Sequence, residues 1–349
     1  MDTFAFDRLV ICGIGLIGGS VARGLRRAHA EGRIAGAGQI VGVDRDAASL
    51  ARALDLGVID VGCLVEDFEA AVSQADFIVL ATPVAQTRAL LARLIPVASA
   101  APIMRADAVL TDVGSTKGDI VSAAQALLGD AQLARFVPAH PIAGAEASGV
   151  DASYASLFDG RDAILCPLAV TASDALARTR AFWHCLGARP VDMAAERHDA
   201  LFASVSHLPH LLAFAFITHI LKSDDAELRF AFAGSGFRDF SRIAASSPEM
   251  WRDICAANRD AILADMDGFL AQVGQLRHAI AHGDAAALEA LFSLARNARG
   301  DWHQGETLAD RALRHSAPET AAKLTADLAD AAKDAADGPS APLVPRVNH

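Results

Sequence analysis

His140 stands in the run of residues 137–149, VPAHPIAGAEASG, between Ala139 and Pro141, with Gly144 and Glu146 close behind. An imidazole with an ordinary pKa near ~6.5 is a natural proton acceptor at neutral pH. A lone histidine in a loop is more often structural, so the chemistry depends on what else the chain supplies. Ser115, in Gly114-Ser115-Thr116-Lys117-Gly118, offers a hydroxyl that either meets a ligand or caps a helix. Ser206-His207-Leu208-Pro209-His210 sets two histidines around a proline. Arg238 and Arg242, four apart after Gly234 and Gly236, share a face if that stretch is helical. Two guanidiniums so placed can clamp a carboxylate, and the competing reading is a solvated face with ordinary ion pairs.

These groups need elements to hold them. Residues 8–12 (RLVIC) form a short apolar run that reads as a buried parallel strand. It leads into Gly13-Ile14-Gly15-Leu16-Ile17-Gly18 and a helix-patterned segment, which is the context a dinucleotide fingerprint requires. Phosphates then lie at the helix N-terminus, with Gly13, Gly15, Leu16, Ile17 and Gly18 as cofactor-binding positions. Residues 40–44 (IVGVD) end on Asp44, which suits the ribose hydroxyls of NAD, while the neighbouring Arg45 keeps NADP open. Residues 77–82 (FIVLAT), closed by Pro83, and 108–113 (AVLTDV) read as further buried strands opening on a cleft. Thr82 and Pro83 join the cofactor set. The stretch 114–118 lacks the full phosphate-loop pattern, which excludes nucleoside triphosphate hydrolysis.

Strand and helix alternate to about residue 192, with residues 162–167 (DAILCP) and ARPVDM as strands. From residue 194 strand signals vanish and helical periodicity takes over, with apolar stripes that suggest a homodimer interface. The organisation read from this is 1–192, 193–307 all helix, and 308–349 a frayed helix with a disordered tail. A net charge of −11 argues against nucleic acid and anionic membranes as partners. No uncharged apolar run is expected to reach the ~20 residues of a membrane span. Five scattered cysteines without C-x-x-C spacing read as reduced residues of a cytoplasmic protein, with no metal site.

The order G-x-G-x-x-G, D-V-G-S-T-K, H-P-I-A-G-x-E, S-H-L-P-H and G-F-R-D-F-S-R-I-A…P-x-x-W resembles the prephenate dehydrogenase family, including its arogenate and cyclohexadienyl relatives. The resemblance covers about residues 8 to 300, and the later motifs together are highly specific. It implies an α/β Rossmann-type doubly wound N-terminal domain followed by an all-α dimerisation domain. The implied reaction is NAD-dependent oxidative decarboxylation of prephenate to 4-hydroxyphenylpyruvate in tyrosine biosynthesis. By the same resemblance His140 is the base and Ser115 holds the substrate hydroxyl and that histidine in place. Ser206, His207 and His210 match the substrate pocket, and Arg242 the carboxylate grip. Glu146 matches an acid gating the pocket, and Asp239 and Trp251 match residues near the site at the dimer interface. Arg238 departs from the pattern, since other members carry lysine there. Arogenate or dual specificity is the alternative within the family. A β-hydroxyacid dehydrogenase should carry a catalytic lysine where this chain has histidines, and a silent NAD-binding sensor should have lost the serine, histidines and arginine. Neither a chorismate mutase domain ahead of residue 8 nor a regulatory domain in the tail is expected.

Overall fold

Alternate residues of the apolar runs enter two different cores. Leu9 and Ile11 pack on one side of β1 (Arg8–Cys12) and Val10 and Cys12 on the other. Phe77 and Val79 of β4 (Phe77–Leu80) are divided in the same way from Ile78 and Leu80. Such a strand is stable only with both faces covered, which requires helices above and below a parallel sheet. The computed structural model describes residues 3–36, 38–94, 103–145 and 147–302 and shows that arrangement.

Six parallel strands run in the order β3-β2-β1-β4-β5-β6, with β2 at Gln39–Asp44, β3 at Val61–Leu64, β5 at Val109–Asp112 and β6 at Phe136–Val137. The helices Leu16–Ala30, Ala47–Asp55 and Ser173–Cys185 supply one core, and Phe68–Val72, Val84–Arg93 and Gly118–Leu127 the other. The alternation does not continue into one sheet. β7 (Ala139–Pro141), β8 (Asp162–Leu165) and β9 (Arg189–Asp192) form a separate three-stranded sheet, with β7 antiparallel to β8. His140 therefore lies on a strand, and the expectation of a loop is corrected.

Pairing fixes where His140 points. It stands opposite Ile164, and directly paired residues share a face. Ala139, Ala163 and Leu165 join the large core, whereas Ile164 packs with Ala195 and Phe202. The imidazole is thus aimed at the helix Ala195–Phe202. That helix passes through a π-helical turn, Ala203–His207, into the helix Leu208–Leu221. Pro209 has no N–H to give the preceding turn, and a wider turn absorbs the loss. Ala195–Leu221 has the length of a membrane span, and an 18-residue window within it reaches a mean hydropathy of 1.7, which corrects the expectation that no run has those properties. His198, Asp199, Ser204, His207 and His210 interrupt it, each held in a hydrogen bond.

The described residues form two compact units that divide between Leu270 and Ala271. The candidate site residues described below belong to the first. Beyond the division the second unit comprises the remainder of Arg259–His282 and the helix Ala285–Asp301. The tail expected over residues 308–349 lies outside the described residues.

Candidate active site

The first half of the site is built from backbone. Gly13 has φ +92°, and a Cβ there would sit 2.5 Å from the Ala81 carbonyl oxygen, so only glycine makes this turn. A Cβ on Gly18 would lie 2.0 Å from the Gly13 carbonyl oxygen, so the helix Leu16–Ala30 can close on its strand only without one. Gly15 differs, because its Cβ would meet nothing within 4 Å. It caps the helix in extended conformation without a side-chain acceptor, which leaves first-turn N–H groups to face a ligand.

Asp44, half-buried at the end of β2, accepts from Ile14 N at 2.9 Å and from Asp46 N at 3.1 Å. Its carboxylate braces the glycine turn and lines a cavity of about 470 Å³ with Gly13, Gly15, Arg45, Thr82 and Pro83. The open space over Gly15, the uncapped helix start and the ribose-height carboxylate fit a dinucleotide. Leu16 and Ile17 turn their side chains to the core, so all they can offer a cofactor is backbone N–H groups.

The second half is built from side chains. His140 Nδ1 lies 2.8 Å from His198 Nε2, and His198 Nδ1 lies 2.8 Å from Asp199 Oδ1. Phe202 packs on both rings, with centroids 4.9 Å from His140 and 4.5 Å from His198. Asp199 also accepts from Lys117 N at 2.8 Å and Gly118 N at 2.7 Å. It thereby caps the helix Gly118–Leu127 from a different helix, and Ser115 is not the cap. Beneath this the fully buried Lys117 pairs with Asp112 of β5. Lys117 Nζ donates to the Ala139 carbonyl at 2.9 Å and Asp112 Oδ1 accepts from Ala139 N at 3.1 Å. The ion pair brackets the residue that precedes His140 and fixes its strand. Ser115 is half-buried in the loop between these two charges.

Burial, followed by the neighbouring His198, Lys117 and His207, pushes His140 well below its ordinary pKa, so the ring is neutral at pH 7. Burial lowers His198 as well, against the opposing pull of Asp199. For Asp199 burial acts upward, but the bonds from His198, Lys117 N and Gly118 N outweigh it and hold the carboxylate ionised.

Farther along the same helical run His210 Nδ1 is 2.8 Å from the Ser206 carbonyl, and its ring stacks on the buried Trp251 at 4.1 Å. His207, also buried, accepts from Asn258 Nδ2 at 3.1 Å, and the same amide donates to the Asp199 carbonyl at 2.8 Å. The turn Arg242–Ala245 packs on the helix Leu208–Leu221 that carries His210, and burial first, with the Arg242 cation, depresses the basicity of His210. The helix Ser235–Ser241 ends before Arg242, which opens a 3₁₀ turn, so Arg238 and Arg242 do not share one continuous α-helical face. Arg238 and Asp239 are exposed on that helix. Glu146 lies outside the described residues.

Reading by motif missed His198, Asp199, Asn258, Asp112 and Lys117. The last two stand inside the D-V-G-S-T-K motif, and the His198-Asp199 pair stands in a stretch whose periodicity signalled only helix.

A glycine-turn cleft on a parallel sheet and a neutral histidine held in a polar cluster are the two parts that a dinucleotide-dependent oxidoreductase requires. Family models for the prephenate dehydrogenase nucleotide-binding domain and dimerization domain match residues 21–192 and 194–294. Prephenate dehydrogenase of Bacillus subtilis is 35% identical over 84% of this chain and 75% of its own length. Cyclohexadienyl dehydrogenase of Zymomonas mobilis is likewise 35% identical, over 84% of this chain and 95% of its own. The crystal structure of Aquifex aeolicus prephenate dehydrogenase with hydroxyphenyl propionate and NAD+ superposes with a TM-score of 0.76 at 34% identity, covering 86% of this chain and 99% of that one. The chain belongs to the prephenate dehydrogenase family and is a dehydrogenase of that family.

Proposed function

We propose that this protein catalyses the oxidative decarboxylation of prephenate to 4-hydroxyphenylpyruvate and CO2, with reduction of NAD to NADH. The carrying observation is His140, kept neutral by burial on a strand clamped by Lys117 and Asp112. NAD, when bound across the glycine turn, supplies the hydride acceptor, and Asp44 favours it over NADP because a carboxylate repels a 2′-phosphate. His140 removes the ring hydroxyl proton, and Ser115 holds that hydroxyl. Arg242 binds a substrate carboxylate through charge-assisted hydrogen bonds, with His210, His207 and Ser206 lining the same pocket. Loss of CO2 leaves an aromatic ring, so the step runs one way.

Arogenate is the second reading, favoured by the likeness to Synechocystis arogenate dehydrogenase, which has a TM-score of 0.67 at 26% identity over 85% of this chain and all of that one. Glu146, Asp239 and Arg238 belong to the substrate side in either reading. A homodimer through residues 193–307 is supported by the dimerization-domain match and by apolar residues left open, among them Phe232 at 83% exposure. Five free cysteines suit a cytoplasmic setting. NADH formation measured with prephenate and with arogenate decides between the substrates. No NADH from either, with both cofactor and prephenate bound, removes the proposal.

A further inference from the structure

We infer that Asp199 and His198 act as a positioning pair that fixes the tautomer of His140, with the proton on Nδ1 and the lone pair on Nε2. The inference rests on the reading of His140 as a base. It follows from counting donors and acceptors. The Asp199 carboxylate takes two backbone N–H groups, from Lys117 at 2.8 Å and Gly118 at 2.7 Å. An ionised carboxylate can only accept, so its third bond, at 2.8 Å, requires the proton of His198 on Nδ1. A neutral His198 then offers only a lone pair at Nε2, 2.8 Å from His140 Nδ1. The proton between the rings must belong to His140. Its second nitrogen is left bare, and that is the only nitrogen with which a neutral imidazole can remove a proton.

The arrangement is directional. With the proton on the other nitrogen, His140 would be a donor toward substrate and unable to act as a base. A protonated His198 would impose that inactive form, because it would donate from Nε2. The charged and titratable groups around His198 are Asp199 on its own helix, Lys117 and Asp112 from β5 and its loop, and His140 from β7. His207, from the π-helical turn, bears on His140 as well. Their sum keeps His198 unprotonated, below its ordinary pKa, through burial first and Lys117 next among the lowering influences.

Two measurements test the pair. In the full-length protein near neutral pH, ¹⁵N spectra of labelled histidine are expected to show His140 protonated at Nδ1 and bare at Nε2. A proton on Nε2 overturns the inference whatever the enzyme's substrate. In kinetics, His198→Leu removes the acceptor and should lower kcat at least about ten-fold, within the ~10²–10⁴ worth of a general base, with KM for substrate unchanged. His198→Gln can accept the same bond through its carbonyl, and should recover at least about ten-fold in kcat over the leucine variant. An unchanged kcat in His198→Leu, or equal losses in both variants, refutes tautomer control. Absence of NADH from prephenate and arogenate in the unaltered protein refutes the functional reading instead, while the spectra still decide the tautomer.

Discussion

The glycine cleft and the histidine cluster are built by opposite means. The cleft is made by atoms left out: no Cβ at Gly13 or Gly18, and no cap at Gly15. The cluster is made by partners brought in, with Lys117 and Asp199 meeting across 82 residues of sequence. A site of the first kind is damaged by adding an atom, and one of the second kind by removing a partner.

Substitutions can break that contrast. His140→Asn should lower kcat by about 10²–10⁴-fold, the usual worth of a general base, with little change in KM for NAD; unchanged turnover takes His140 out of the chemistry. Lys117→Met leaves the buried Asp112 charge unpaired and should cost about 3–5 kcal/mol in urea unfolding. Adding Asp112→Leu removes the unpaired charge and should return part of the stability, since Ala139 N then lacks its acceptor, but not kcat, since the residue before His140 stays unbracketed. A double variant with full activity would show that the ion pair is packing alone.

Smaller effects follow. Arg242→Gln should raise KM for substrate by roughly 10–100-fold, as for a lost charge-assisted bond of about 1.5–3 kcal/mol; an unaltered KM counts against the grip. Gly18→Ala should cost at least the ~1–3 kcal/mol of overpacking, because its Cβ meets backbone. Gly15→Ala should change stability by less than about 0.5 kcal/mol and yet raise KM for NAD, and equal behaviour of the two would erase the distinction between turn and approach.

Acid should act mainly on the cluster. Burial lowers His140, His198 and His210 in the folded protein and brings His207 to about 4. The unfolded chain, with histidines near ~6.5, therefore binds more protons below that pH, so their contribution to stability is present above ~6.5 and is lost as pH falls. For His207 the loss is complete near its folded value of about 4. The thermal midpoint should drop across this window, and His207→Gln should flatten the drop. A midpoint independent of pH between 6.5 and 4 would contradict the burial of these rings.

The same contrast explains what could be read from sequence. Arg8–Cys12, the glycine turn and Asp44 are local: each residue's part follows from neighbours a few positions away. Strands such as β6 and β7 are two and three residues long and carry no period, so His140 looked like part of a loop. Lys117 reads as a solvent charge until β5 and β7 close over it. His198 and Asp199 read as an ordinary helical pair until that helix meets the start of another. Histidine 140 was identifiable by motif, but its neutral state and its orientation come from contacts that no spacing encodes.

Asp199 also has a bearing on modularity. The nucleotide-binding half looks detachable at residue 192, yet two of its amide donors, Lys117 N and Gly118 N, find their acceptor only in the following half. Cut there, the chain would begin one of its core helices with bare donors beside a lysine that water never reaches in the intact protein. At this seam the following half completes the hydrogen bonding of the first. A motion that parted the chain at this seam would break both bonds and release Asp199, and with it His198, from the position that faces His140.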